Sequence, residues 1–239
     1  MSLTTKPETS ASEKYSPGQR RSAGTALIAS TVIFFLAEFI SAAAWTDHPY
    51  SYTYHYISDL GVHGPVVALD QYMYSPLAWI MNTGFLLFGV AVFAGVALLR
   101  GLSDRRGWGV RILAAVVGAG GIVLAFFHGD GKADQNGTFD YHGLGAMAAI
   151  VGGNVLIILL GRRHRRIGVA RKPGLAMIGL GVFGLVSTVA FLVVAGSGAN
   201  VLVGLVERCA VYPVLIGLSC AGVSIWKDRP GGTGAARAG

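Results

Sequence analysis

An all-helical polytopic membrane protein, a bundle of six transmembrane helices with both termini cytoplasmic, is the fold class the sequence predicts, on three observations. Hydrophobic residues make up 53% of the chain and charged residues only 13%. Apolar runs of about 20 residues recur, the length that crosses a hydrocarbon core of about 30 Å. Lysine and arginine gather in alternate connections, as the positive-inside rule requires. The 35 glycines agree, because small residues let membrane helices approach closely. A net charge of +7 in 239 residues raises the question of nucleic acid. The charges sit at span ends and form no groove-binding face, so membrane lipids and not nucleic acid are the expected partners.

Residues 1–21 are polar, with Ser, Lys, Glu and Pro and no periodic apolar face, which predicts a disordered tail. The first span, 22–45, is longer than the 7–15-residue core of a secretory signal, so its SAAAW ending reads as the end of an uncleaved helix. Residues 45–76, WTDHPYSYTYHYISDLGVHGPVVALDQYMYSP, hold three of the six histidines and no Lys or Arg. This loop reads as an outward-facing cap over a polar site. Spans two and three are 76–100 and 108–128. A polar loop, GDGKADQNGTFD, leads to the fourth, 141–160. The basic run GRRHRRIGVARK precedes the fifth, 173–195, and GSGAN precedes the sixth, 201–226. Residues 227–239 are low in complexity and predict a second disordered tail.

Counting basic residues sets the orientation. One side carries Lys6, Lys14, Arg20 and Arg21, then Arg100, Arg105 and Arg106, then the Arg162–Lys172 cluster, then Lys227, Arg229 and Arg237; the other carries Lys132. The expected location is a cytoplasmic membrane with the Lys132 side outward. The Arg162–Lys172 cluster reads first as a positive-inside anchor, with anionic headgroups or an acidic partner as the alternative. Cys209 and Cys220 lie about 16 Å apart along one predicted helix, too far for an intrahelical disulfide.

At about 1.5 Å of rise per residue, the ionisable residues converge on one half of the bundle. Glu38 lies about 10 Å below the outer end of the first span, and Asn82 sits about two turns into the second. His128 and Asp130 close the third, His142 opens the fourth, and Glu207 and Arg208 lie about two turns into the sixth. Each intramembrane charge costs about 2.5–3.5 kcal/mol near the bilayer centre, so such residues face inward and pair. Two readings of Arg208 stand together: an ion pair with Glu38 or Asp59 that locks helices, and an anchor for a ligand carboxylate or phosphate. Glu207 and Arg208 are neighbours about 100° apart on a helix and cannot both face one partner.

His128, Asp130, Asp134, Asp140 and His142 are suitable metal-ligand types, but they follow no established spacing. His128, Asp130 and His142 are the metal candidates, with Asp140 as a helix N-cap in the competing reading. Asn136-Gly137-Thr138 also matches a glycosylation sequon. Tyr50, Tyr52, Tyr54 and Tyr56 alternate with small or polar residues. That pattern predicts a short extended segment, either an interfacial aromatic belt or an aromatic lid with His55 and Asp59 turned inward. Ser58-Asp59-Leu60-Gly61 predicts a short helical turn, and Pro213 a kink in the sixth span.

HYISDLG in the first loop, Asn82, the His-Gly-Asp ending of the third span, the histidine opening the fourth and Glu207-Arg208 together resemble the prokaryotic membrane family filed as domain of unknown function 998, over about residues 23–226. That resemblance implies six helices in a bacterial or archaeal cytoplasmic membrane. It also implies a distant similarity to the Frag1/DRAM/Sfk1 group of lipid-associated membrane proteins, which favours lipid-related work. A second comparison is with the alkaline-ceramidase and adiponectin-receptor hydrolases, whose membrane zinc sites use histidines, a serine and an aspartate. The chain departs from these in span number and in lacking their C-terminal histidine pair.

The sequence-level expectation is a membrane enzyme acting on a lipid or isoprenoid by acid–base chemistry, for example protonation-initiated terpenoid cyclisation. Glu38, Asp59, Asp130, His142 and Glu207 are the candidate acids and bases, and His55, Tyr56, Asn82 and Arg208 the candidate substrate-binding residues. The residues name no cofactor. The alternatives are a non-catalytic lipid-binding or scaffold protein and a metal-dependent hydrolase. A transporter has less support, because no inverted repeat or broken-helix pair is visible.

Overall fold

A computed structural model describes residues 17–68, 71–199 and 201–227; most of both predicted tails, including Lys6, Lys14, Arg229 and Arg237, lies outside these residues. Among the described residues six helices are long and apolar enough to cross a membrane. They are α1 (Pro17–Ala44), α2 (Ala78–Ala97), α3 (Arg105–Phe126), α5 (Tyr141–Arg162), α6 (Arg171–Gly196) and α7 (Val203–Lys227), with a short α4 (Lys132–Asn136) in the loop after α3. Helix is what such runs must form in lipid, where every backbone N–H and C=O has to be satisfied within the segment. α1 starts at Pro17, so residues 17–21 are helical and not part of a tail. Arg20 explains the extension: its Nε donates to Ile225 O at 3.0 Å and its Nη2 to Gly168 O at 3.1 Å.

The helices close a ring in which α1 packs on α2, α2 on α3, α3 on α5, α5 on α6, α6 on α7 and α7 on α1. α7 also touches α5, and it is the most buried of the six, while α6 is the most exposed. Glycine sets the spacing where backbones come closest. A methyl group on Gly24 of α1 would lie 2.8 Å from Gly222 O of α7, and one on Gly121 of α3 would lie 2.7 Å from Phe85 O of α2. Two polar ties supplement packing. Thr31 donates to Leu215 O across α1–α7 at 2.8 Å, and the buried Asn154 of α5 donates to Ala210 O of α7 at 2.9 Å. α7 continues as one helix through Pro213.

At one end of the bundle the connections are basic. Asp104 caps α3 by accepting from Gly107 N, and it takes Arg163 Nη1 and Nη2 at 2.7 and 2.9 Å and Arg166 Nη1 at 2.8 Å. The hydrogen bonds and charge of Arg163, with Gly107 N–H and Arg166, hold its carboxyl well below the usual carboxylate range. At the other end the 33-residue α1–α2 connection folds over the helix ends as a cap. It contains a 3-10 turn (Ser58–Gly61) and an antiparallel hairpin, β1 (Val66–Ala68) with β2 (Gln71–Met73), registered Val66 to Met73. Strands of three residues are too short to announce themselves as an alternating pattern.

The glycine contacts predict an asymmetric response to bulk. Gly121→Val forces α2 and α3 apart and lowers stability by about 1–3 kcal/mol. Gly109→Val on the same helix, where nothing lies within 4 Å of the added carbon, leaves the melting temperature in detergent near wild type.

Candidate functional site

Arg208 lies 5% exposed, about a turn and a half into α7. Its Nε and Nη2 reach Glu38 Oε1 of α1 at 3.0 and 2.9 Å, and Nη2 also donates to Tyr50 Oη at 2.5 Å. Nη1 donates to Tyr52 O, His55 O and Gly204 O at 2.8, 3.2 and 2.9 Å. The guanidinium carbon sits 4.8 Å from the Tyr52 ring centre and 5.6 Å from that of Tyr50. A guanidinium has five N–H donors, and all of them are engaged by protein acceptors. Glu38 is fully buried, its Oε1 also accepts from Tyr212 Oη at 2.9 Å, and its Oε2 has no protein partner.

This network folds the cap. Residues 50–56 form turns and not the extended segment expected from the alternating tyrosines, because Ser51 O accepts from both Tyr54 N and His55 N. Carbonyls released by those turns point down at Arg208. Gly204 makes the descent feasible, since a side chain there would strike His55 O, and Leu205 N donates to Thr53 O at 3.1 Å. Tyr50 and Tyr56 turn inward, while Tyr52 and Tyr54 are exposed. His55 accepts from Ser51 N at 2.8 Å through Nδ1 and stacks on both Trp45 and Tyr50, whose rings also meet each other. Burial, reinforced by the charge of Arg208, lowers its pKa and keeps it a neutral wedge. Asn82 Nδ2 donates to Gly61 O at 3.0 Å, tying the 3-10 turn to α2.

Glu207 points away from Arg208, as the helix geometry demands, and its Oε2 accepts from Ile57 N at 2.6 Å. One residue earlier in the cap, Tyr56 N donates to Asp59 Oδ2 at 2.9 Å. Two consecutive backbone amides thus hold two carboxyl groups from different elements. Asp59 is 1% exposed. Burial pushes its pKa well above the usual range, and the neighbouring Glu207 adds to the rise. Burial likewise pushes the Tyr56 phenol up to about 12.

Both carboxyls border a cavity of about 330 Å³ beneath the cap. Its walls are apolar and aromatic: Phe34 of α1, Phe85 and Phe88 of α2, Phe191 of α6, and Val211, Val214 and Leu215 of α7. Phe34 meets Phe85 and Phe88 edge-on at 5.8 and 5.5 Å, and Tyr56 meets Phe191 at 6.0 Å. His142, at the start of α5, supplies the opposite polar rim. Its Nδ1 lies 2.8 Å from Phe127 O, which only accepts, so Nδ1 carries the proton and Nε2 is left as an acceptor. Asp140 caps α5 by accepting from Gly143 N at 2.9 Å.

Of the sequence-level candidates, the cavity brings together Asp59, Glu207, His142 and Tyr56. Glu38, Arg208, His55 and Asn82 lie around it as the frame of the cap. Asp130 is held by Lys132 Nζ at 2.6 Å, and His128 is exposed. Among the described residues no group of three or more His, Cys, Asp or Glu side chains is placed to hold a metal ion, so His128, Asp130 and His142 do not converge. The side chain of Asp134 lies outside the description. The aromatic wall was missed at the sequence level. One signal was present, since Phe34 lies one turn below Glu38 on the same face of α1.

A family model described as a protein of unknown function (DUF998) matches residues 28–224. No curated protein and no solved structure matches the chain.

Two measurements test this geometry. Removing one partner of a buried ion pair strands the other, so Arg208→Met lowers stability by about 3–5 kcal/mol. In a double-mutant cycle with Glu38→Gln the two losses overlap by about 1–3 kcal/mol; additive losses would mean the pair is not shared. Asp59 gives a signed pH effect. Its folded pKa lies above the unfolded value of about 3.9, so its contribution is complete below that pH and is lost as pH rises through the folded pKa. The melting temperature of the wild type therefore falls more steeply from pH 4 upward than that of Asp59→Asn.

Proposed function

The chain belongs to the DUF998 family, proteins of unknown function, and from its capped cavity we propose that this integral membrane protein is an enzyme acting by acid–base chemistry on a lipid or isoprenoid substrate. The observation that carries the reading is a buried carboxyl group, Asp59, set in the wall of a mainly aromatic and aliphatic cavity that Glu207 and His142 also border. A volume of about 330 Å³ falls within the range of about 300–1,000 Å³ typical of small-molecule sites. Leu192 of α6 is exposed and Ala146 and Met147 of α5 are half-buried where they border the cavity, which gives an apolar molecule a lateral route from the hydrocarbon.

Protonation-initiated cyclisation is the concrete form this takes. A carboxyl whose pKa burial raises holds its proton toward higher pH and can serve as a general acid. Asp59 O–H transfers its proton to one carbon of an alkene, the C–H bond forming as the π bond breaks. The cation at the other carbon is attacked by the π electrons of a second double bond, closing a ring. The faces of Phe34, Phe85, Phe88 and Phe191 stabilise that cation. His142 Nε2 or the Glu207 carboxylate then removes a proton next to the cation and restores a double bond. The sum is an isomerisation that uses no oxidant or reductant. In this reading the cap faces outward from a prokaryotic cytoplasmic membrane, both termini are cytoplasmic, and the basic end is the inner one.

The Arg208 network favours a second reading. Because every Arg208 donor is engaged inside the fold, the charges serve to hold the bundle, and the cavity is then a binding site for a lipid that is not transformed. Incubation of the protein in lipid nanodiscs with a membrane lipid extract and with polyprenyl substrates, followed by mass spectrometry of products, separates the two. The enzyme reading predicts a product whose formation falls by about 10²–10⁴-fold in Asp59→Asn. A lipid retained unchanged, at equal occupancy in wild type and Asp59→Asn, would leave only the binding reading.

A further inference from the structure

At the end of the molecule opposite the cap, α1 and α6 flank α7 without closing over it. A groove of about 1,000 Å³ is left open on the outer surface of α7. Ile216, Ser219, Cys220 and Val223 form its floor, Phe35 of α1 and Pro173 of α6 its walls. Arg165 and Lys227 stand at its basic end, both exposed. The charges around them are already matched: Arg163 and Arg166 pair with Asp104, and Arg20 is bound to backbone carbonyls. Arg165 and Lys227 have no acidic or hydrogen-bonding partner among the described residues, and no Asp or Glu lines the groove. From Lys227 back to Ile216, α7 runs about 16 Å, close to the half-thickness of about 15 Å of a bilayer's hydrocarbon core.

We propose that this groove binds one anionic phospholipid, with its phosphate between Arg165 and Lys227 and an acyl chain laid along α7 from Val223 to Ile216. Length and charge together select this occupant. A free phosphate would use the cations and leave the apolar floor empty, and a zwitterionic lipid would fill the floor while its own cation opposes the two basic side chains. The site is separate from the cavity beneath the cap and stands whether or not that cavity is catalytic.

Native mass spectrometry of the full chain in mild detergent, titrated with phosphatidylglycerol and with phosphatidylcholine of the same acyl chains, tests it. The expected result is one tightly retained phosphatidylglycerol and weaker binding of phosphatidylcholine. Arg165→Gln combined with Lys227→Gln weakens retention of the acidic lipid by about thirtyfold, taking each basic side chain at its usual contribution near a membrane surface. Ile216→Trp, which fills the floor without altering charge, also displaces the lipid. Arg162→Gln combined with Lys172→Gln, at the same end but outside the groove, leaves retention unchanged. Equal retention of both lipids would overturn the proposal, as would equal losses in the two double variants, which would mean diffuse attraction to the basic end. Binding that persists in Ile216→Trp would overturn it too. All five positions are exposed, so their variants retain the fold, and an unchanged melting temperature verifies this.

Discussion

A guanidinium buried inside a bundle of membrane helices must find acceptors for all of its donors, and much of this molecule's capped end follows from how Arg208 does so. Arg208 is only 5% exposed, and an unmatched charge buried in a membrane bundle costs several kcal/mol. One acceptor, Glu38, comes from α1. The others are carbonyls and a phenol from the cap, which must fold down onto α7 to deliver them. The turns at residues 51–55, the absent side chain at Gly204 and the stacked Trp45, His55 and Tyr50 rings are the local means of that descent. A loop with no basic residues is thus tied down in large part by one basic side chain, with Asn82, Glu207 and Leu205 N adding further ties.

Once the cap is pinned, its next residues have little freedom. The amides of Tyr56 and Ile57 face the membrane interior, where Asp59 and Glu207 accept them. The neighbouring helices contribute phenylalanines, so these carboxyls border a mainly apolar cavity. The ion pair is therefore connected to the cavity by two residues of chain, although Arg208 and Glu38 do not line it. The polar groups at this end are held in two ways: Glu38 is fixed by Arg208 and Tyr212, while Asp59 and Glu207 are fixed by backbone N–H groups.

The helical bundle was legible because hydropathy and charge alternation are properties of whole segments, which survive ignorance of any contact. Depth arithmetic also put Glu38 and Arg208 at one level, and the cost of intramembrane charge demanded a partner. Whether that partner was Glu38 or Asp59 was not legible, because Asp59 sits in a loop whose path depends on tertiary contacts. The tyrosine alternation suggested an extended segment, but hydrogen bonds to Ser51 O made turns instead. His128, Asp130 and His142 looked like a cluster because they are close in sequence. Lys132 takes Asp130 and Phe127 O orients His142, which separates them. The phenylalanine wall was hidden for a different reason. In a membrane protein a phenylalanine facing lipid and one facing a cavity have the same hydropathy, and only the packing of six helices tells them apart.

Proton donation in the cavity beneath the cap requires Asp59 to hold its proton. Infrared difference spectroscopy of the protein in lipid nanodiscs at neutral pH reads this directly, through the carbonyl stretch of a protonated carboxyl group and its shift on exchange into deuterated water. The account predicts such a band in the wild type, slow to exchange and lost in Asp59→Asn. A wild-type spectrum with no protonated-carboxyl band, or one that Asp59→Asn leaves intact, would contradict it.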